Sequence, residues 1–368
     1  MRFPEFTEEW KKCTIKDYGE VITGNTPPTK NIEYYSNGSY LWASPADLGL
    51  SKHITSTKTK LSLLGLKKTR TIPQGSILVT CIGSTIGKMG MATETMSTNQ
   101  QINSVIVNDS TNNDFAYYAI LNAFPRYLSE VGVQAVPILS KSNFEKLPNH
   151  TTTKEEQRKL GYFLNLLDER IATQNKIIED LKKLKSAIYQ DLFSNLQGDE
   201  ISLSELAEIV KGQQVNGDEL SENGKYYVMN GGIMPSGYYD DYNTKAGTIS
   251  ISEGGNSCGY VQYNTTEFWS GGHCYTLHIK PTAPILTLFL FHYLKWKEAD
   301  IMMLRIGSGL PNIQKKDLSK VRIIVPTLDK QQQQIALLSS LQMKIESEEM
   351  YLINLDKQKQ YLLSQMFI

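Results

Sequence analysis

Gly83-Ser84-Thr85-Ile86-Gly87-Lys88 is the segment of this chain nearest to a phosphate-binding loop, and it falls short of being one. One residue is missing between the glycines, and Met89 stands where a Ser or Thr would hold magnesium. What survives is a tight glycine turn that can bring backbone N–H groups and Lys88 against a phosphate. The sequence contains no Gly-x-Ser-x-Gly elbow and no His-Glu-x-x-His. Its only Pro-Pro, in Thr26-Pro27-Pro28-Thr29, lacks the preceding acid or amide and the following aromatic that an amino-methyltransferase uses to hold a flipped base. His273, Cys274 and His278 invite a metal reading. Strand alternation explains them more cheaply, with His273, Tyr275, Leu277 and Ile279 on one face and Cys274, Thr276 and His278 on the other. No second pair completes a zinc-site spacing. The residues thus point to no catalytic group and no metal.

Polar loop residues are plentiful instead. Asn99, Gln100 and Gln101 form one cluster, Gln213, Gln214 and Asn216 another, and Asn256 and Ser257 lie in a second glycine turn. Amide side chains pair bidentately with adenine edges, and Arg or Lys with guanine. Taken singly, each cluster is more often just a solvated turn. Net charge is zero, with 38 basic and 38 acidic residues, but its distribution is uneven. Between Asp47 and Glu94 there is no acid, while Lys52, Lys58, Lys60, Lys67, Lys68, Arg70 and Lys88 all fall there. A second basic stretch runs from Arg305 through Lys315, Lys316, Lys320 and Arg322. Local patches matter to a polyanion more than the total does, though a lysine-rich solvated face has the same appearance. The candidate nucleic-acid contacts are Lys67, Lys68, Arg70, Ser84, Thr85, Lys88, Asn99, Gln100, Gln213, Gln214, Asn256, Ser257 and His273.

At 368 residues the chain can bury two cores. Its 40% hydrophobic and 21% charged content is ordinary for a globular protein. The greasiest run, Ile285 to Leu294, is interrupted by Thr287 and His292, so no membrane span is expected. Met1-Arg2-Phe3-Pro4-Glu5 carries no apolar signal core, and four cysteines without a CxxC pair suit a reducing cytoplasm.

Four blocks position these residues. Residues 1–153 are strand- and turn-rich, with Ser76–Thr80 and Ser104–Val107 as strands. Residues 154–196 read as one long helix, entered through Thr151-Thr152-Thr153 with Glu155 and Glu156 in its first turn. Residues 197–328 return to strands, Thr248–Ile251 and Tyr275–Ile279 among them, with a short helix after Pro284. Residues 329–368 are helical again.

The second half repeats the first. Ile345 minus Ile171, Lys359 minus Lys185 and Phe367 minus Phe193 all give 174. Leu160, Leu164, Leu167, Ile171, Ile178, Leu181, Ile188 and Leu192 keep a 4-3 spacing interrupted by polar Gln174 and Lys185. Adding 174 gives Leu338, Leu341, Ile345, Leu352, Leu355, Leu362 and Met366, with Glu348 and Lys359 at the breaks and the first position moved by one to Ile335. Such a seam specifies a coiled coil, and a helix of about 40 residues measures roughly 60 Å. Connectivity leaves parallel and antiparallel pairing open, and symmetry of repeated units favours antiparallel. Helices packed on their own domains are the alternative. The globular blocks align more loosely, through Lys16–Gly24 with Ser204–Gly212, Gly83/Gly87 with Gly255/Gly259, and Pro137–Lys141 with Pro311–Lys315. Tyr162, Phe163, Phe193 and Phe367 flank the seam as apolar side chains a partner could cover.

These parts in this order resemble the specificity subunits of type I restriction–modification systems. The resemblance covers essentially the whole chain. Its carriers are Ile77–Lys88, the helix opening Lys154-Glu155-Glu156-Gln157-Arg158-Lys159-Leu160, the helix core Leu167-Asp168-Glu169-Arg170-Ile171, and Asp191-Leu192-Phe193. It implies an α+β fold of two similar mixed target-recognition domains, joined and separated by two long helices in an antiparallel, pseudo-two-fold coiled coil. It implies double-stranded DNA read as a bipartite target, with the coiled coil setting the gap and docking two methyltransferase subunits. S-adenosylmethionine, ATP and magnesium would belong to those and to the restriction/translocase subunits, with no cofactor in this chain. The second helix opening departs from the pattern: Lys330-Gln331 replaces the acidic pair and the spacing reads one residue longer. A stand-alone DNA-modifying enzyme would transfer labelled methyl groups without partners. A coiled-coil protein scaffold would retain no DNA.

Overall fold

A computed structural model describes residues 2–49, 51–131, 138–307 and 309–367. Met1 and Pro137, the latter part of the loose echo, lie outside them. The chain divides into two compact units, Met1–Lys176 with Met350–Ile368, and Ile177–Glu349.

In the first unit a five-stranded sheet is built from β1 (Gly19–Thr23), β2 (His53–Ile54), β3 (Ile77–Thr80), β4 (Met89–Ala92) and β5 (Ile102–Val107), in the order β1-β5-β3-β4-β2. Ile77, Val79 and Val105 bury one face against a helix, Asn113–Val131, while Leu78 and Ile102 bury the other against Leu41 and Ile72 of a smaller sheet. Strands buried on both faces explain the near-continuous apolar run at Ile77–Val79. This helix replaces part of the strand- and turn-rich stretch that the sequence pattern predicts here. Phe115 to Ile120 form an unbroken buried run, which in the sequence resembles a buried strand, and Pro125 inside the helix reads as a break.

The second unit repeats the frame. Its sheet comprises β6 (Ala207–Lys211), β7 (Thr248–Ser252), β8 (Val261–Asn264) and β9 (Cys274–Ile279), in the order β6-β9-β7-β8. Two helices, Thr287–Trp296 and Glu298–Met303, cover it with Phe289, Leu290, Tyr293 and Ile301. Register is shared: Ile102 opposes Thr80 as Cys274 opposes Ser252.

The long helices are Lys154–Ser194 and Leu328–Met366, each unbroken. Their burial follows the seam: Leu164, Gln174, Ile178, Leu338, Ile345, Leu355 and Leu362 are buried, and Leu167, Ile171, Leu181, Ile188, Leu341, Glu348 and Leu352 half-buried. Pairing is antiparallel in each unit. In the first, Arg170 contacts Tyr351 and Asp168 contacts Lys359; in the second, Lys182 reaches Glu349 at 2.6 Å and Lys185 reaches Gln342 at 2.6 Å. The helix ends also complete the domain cores. Leu160 and Leu164 join Leu362, Leu363, Met366 and Phe367 around Phe115, whereas Tyr189, Phe193 and Leu338 join the second core. Phe193 and Phe367 are therefore interior, correcting the expectation of an exposed aromatic fringe; Tyr162 remains 64% exposed.

The second helix opening is also corrected. Gln157 is buried, accepts from Asn112 N at 2.8 Å and donates to Thr152 O at 2.8 Å. Gln331 is buried, accepts from Leu286 N at 2.8 Å and donates to Pro326 O at 2.9 Å. These residues correspond at the offset of the rest of the helix, so no extra residue intervenes. Gln334 occupies the first seam position, buried, with Ile335 half-buried beside it.

Candidate nucleic-acid interface

In the first unit, several sequence candidates converge where β1, β3 and the start of β5 meet. Gly83 and Gly87 adopt positive φ, which L side chains rarely tolerate, and so shape the turn carrying exposed Ser84 and half-buried Thr85. The turn of Asn99, Gln100 and Gln101 lies against it: Cys81 N donates to Gln101 O at 2.7 Å, and Gln101 Nε2 to Ile82 O at 3.4 Å. Thr26 Oγ1 donates to Gln100 Oε1 at 2.5 Å. Asn25 Nδ2 donates to Lys68 O and Asn25 Oδ1 accepts from Arg70 N, both at 2.8 Å, tying the basic loop Lys67–Arg70 to the same place. Lys67, Lys68 and Arg70 are exposed, with Arg70 also donating to Thr23 O at 2.7 Å.

Three residues stand differently from their reading in the sequence. Asn99 is buried, and its Oδ1 accepts from Gln101 N at 3.0 Å, so it builds the turn while Gln100 stands exposed. Lys88, exposed, lies along Gly49 in a separate cleft of about 500 Å³ shared with Lys52, Asp168 and Lys359. Lys52 leaves the basic surface altogether. It is buried, with Nζ 2.6 Å from Asp114 Oδ1 and 2.9 Å from Asn165 Oδ1. Burial pulls its pKa down while Asp114 opposes that shift.

The second unit brings Asn256, Ser257 and His273 together in a cleft of about 580 Å³ also lined by Lys211, Asn230 and Glu253, with Gln213 and Gln214 outside its lining. Gly255 and Gly259 carry positive φ as their counterparts do. Glu253 N donates to His273 O at 2.9 Å, matching Cys81 with Gln101. Gln213 N donates to Ser270 O at 2.8 Å, and Gln214 lies beside Gly272. Asn256, His273, Gln213 and Gln214 are exposed.

The floors differ. Thr23, Cys81 and Asn103 in the first unit are replaced by Lys211, Glu253 and Tyr275 in the second, at matching sheet positions. Lys211 and Glu253 escaped the sequence reading; alignment of the two frames through their glycine turns carried the signal for them. Both turns present amides, hydroxyls and, in the second unit, an imidazole. Among the described residues no group of three or more His, Cys, Asp or Glu gathers as a metal site.

The family profile of the type I restriction modification DNA specificity domain matches residues 7–183 and again 198–356. The chain belongs to that specificity family. Two similar relatives are the MjaIX specificity subunit of Methanocaldococcus jannaschii and the HindI specificity subunit of Haemophilus influenzae. The first is 28% identical over 196 residues, 52% of this chain and 45% of the relative. The second is 30% identical over 185 residues, 48% of this chain and 39% of the relative. The chain thus matches less than half the length of either. A type I S subunit from M. genitalium, solved by crystallography, shares the specificity-family fold, with a TM-score of 0.68 at 21% identity over 98% of this chain and 96% of that one.

Proposed function

We propose that this chain is the non-catalytic, sequence-specific DNA-binding subunit of a type I restriction–modification complex. Each recognition domain, residues 1–153 and 197–328, reads one half of a bipartite target. The helices of residues 154–196 and 329–368 set the gap and dock two methyltransferase subunits. Restriction/translocase subunits complete the assembly in the cytoplasm, and S-adenosylmethionine, ATP and magnesium act in those partners.

One observation carries this reading: the same strand-and-turn frame occurs twice, with Thr23, Cys81, Asn103 and Gln101 in one copy replaced by Lys211, Glu253, Tyr275 and His273 in the other. Conserved frames under divergent loops suit two readers of different half-sites. Among the described residues no helix is long and apolar enough to cross a membrane. The test exchanges residues 13–150 for the equivalent block of a relative and sequences the methylated bases made by the reconstituted complex. One half-site is expected to change and the other to persist; an unchanged pair of half-sites would refute the proposal.

A further inference from the structure

Glu253 is the most unusual polar group in the second cleft. It is 8% exposed, and its two carboxylate oxygens are treated very differently. Oε1 accepts from Lys211 Nζ at 2.7 Å and from Tyr275 OH at 2.9 Å. Oε2 is buried with no hydrogen-bond partner, and the nearby donor is His273 Nδ1 at 3.7 Å. A buried carboxylate oxygen left without a donor is costly. The His273 ring is 63% exposed and lines the cleft, so a displacement of under about 1 Å brings Nδ1–H to ordinary hydrogen-bond length. Lys211 already counters the carboxylate charge; what Oε2 lacks is a donor, and a neutral imidazole supplies one.

We infer that Glu253 is a positioning residue that fixes His273 with its proton on Nδ1, leaving Nε2 as an acceptor that reads a base amino group. This rests on the reading of the second domain as a DNA reader. In a neutral imidazole, an Nδ1–H committed to a carboxylate leaves Nε2 to accept. In the major groove the donors available to it are cytosine N4–H2 and adenine N6–H2. Three surroundings support the assignment. His273 N is itself held by Asn230 Oδ1 at 3.0 Å, so the backbone under the ring is fixed. Asn256 and Ser257 line the same cleft and can hold the adjacent phosphate or base edge. The first domain has Gln101 at the equivalent position, with its amide held by Ile82 O and Asn99, and Cys81 in place of the carboxylate. Only the second domain has the charged clamp.

The experiment begins with single-molecule sequencing of methylated bases in a host carrying the wild-type chain and its methyltransferase subunits, which gives the bipartite target. Absence of a bipartite target sinks the functional reading itself, separately from the present inference. Binding of the wild-type complex is then measured on duplexes in which each cytosine of the second half-site is replaced by 2-pyrimidinone, or each adenine by purine, deleting one amino group at a time. One replacement is expected to weaken binding roughly 5- to 150-fold, and its identity tells cytosine from adenine. In His273→Ala, an exposed change, the same replacement should have under about twofold effect. Glu253→Gln should relax methylation at that one position and spare the other half-site. Unchanged discrimination in both variants, or the absence of any amino-group deletion that weakens wild-type binding, overturns the assignment. Should Glu253→Gln fail to fold, the amino-group deletions with His273→Ala decide alone.

Discussion

Lys185 Nζ donates to Gln342 Oε1 at 2.6 Å, and Lys359 pairs with Asp168 in the same register with the helices exchanged. Lys359 stands 174 positions after Lys185, and Gln342 stands 174 after Asp168. The two lysines interrupt the apolar seam at equivalent points, and each is answered by the residue facing it on the antiparallel partner. The same kind of seam pair therefore occurs once in each unit. A polar seam residue with a specific acceptor fixes alignment, because any slip strands a half-buried ammonium without its partner.

The two pairs differ in what depends on them. Asp168 also accepts from Tyr118 OH at 2.6 Å, beside the pair of buried Lys52 with half-buried Asp114, whereas Gln342 also reaches Glu346 at 2.7 Å. Replacing Asp168 by Ala strands Lys359 and Tyr118 together and is expected to cost about 3 kcal/mol. Gln342→Ala should cost about 1 kcal/mol. Urea denaturation of the two variants beside wild type checks this, and equal losses would contradict the asymmetry.

A buried histidine gives the second unit an acid sensitivity. His292 Nδ1 lies 2.6 Å from Tyr189 OH, and its Nε2 is buried without a partner. Burial first, and Lys185 second, push its pKa down from 6.5 to about 4. The unfolded chain takes up this proton near pH 6.5 and the folded chain only near 4. Its stabilising contribution is thus complete above about 6.5, falls as pH drops, and is gone near 4. The loss amounts to about 3 kcal/mol. Chemical denaturation at stepped pH, with the difference between wild type and His292→Leu, isolates the effect; parallel curves would refute it.

Much of this architecture was legible. The seam from Leu160 to Met366 needed only the 4-3 spacing, since a long amphipathic helix imposes its period on the sequence. The helix at Asn113–Val131 was hidden because Phe115 to Ile120 is an unbroken buried run followed by Pro125, which together look like a short buried strand and a break. Gln157 and Gln331 stand in the sequence only as members of the two helix openings. Their importance comes from backbone groups of distant loops at Asn112 and Leu286, which spacing cannot show. At the candidate interface the glycine turns were readable from Gly83/Gly87 and Gly255/Gly259. That Asn99 points inward while Gln100 points out depends on a turn geometry local sequence does not specify.

The seam gives a length prediction. Inserting seven residues after Asn175 and seven after Glu349 keeps the 4-3 period and both polar breaks in phase. Each helix grows by about 10 Å, close to three base steps. Methylated-base sequencing should show both half-sites unchanged with a gap about three base pairs longer. An altered half-site with the original gap would remove the spacing role from the helices. Four residues inserted at each place shift the seam by half a repeat and should abolish assembly instead.

The basic loop of the first unit yields a prediction in salt. Lys67 and Lys68 are exposed and no ion pair to either is seen among the described residues, whereas Arg70 is partly committed to Thr23 O. A lysine on a phosphate releases condensed counterions, so each lost contact lowers the slope of log affinity against log salt by about one. Lys67→Gln with Lys68→Gln is expected to flatten the slope by about two, weakening all sequences alike and leaving the methylated target unchanged. Arg70→Gln should flatten it by less than one, and its loss of the Thr23 contact should show instead as mild destabilisation of the loop. Titration of the complex with its duplex at four salt concentrations reads these slopes directly. A slope unmoved by the double lysine change assigns that loop to solvent, and DNA contact in the first domain then rests on the Ser84 and Gln100 turns alone.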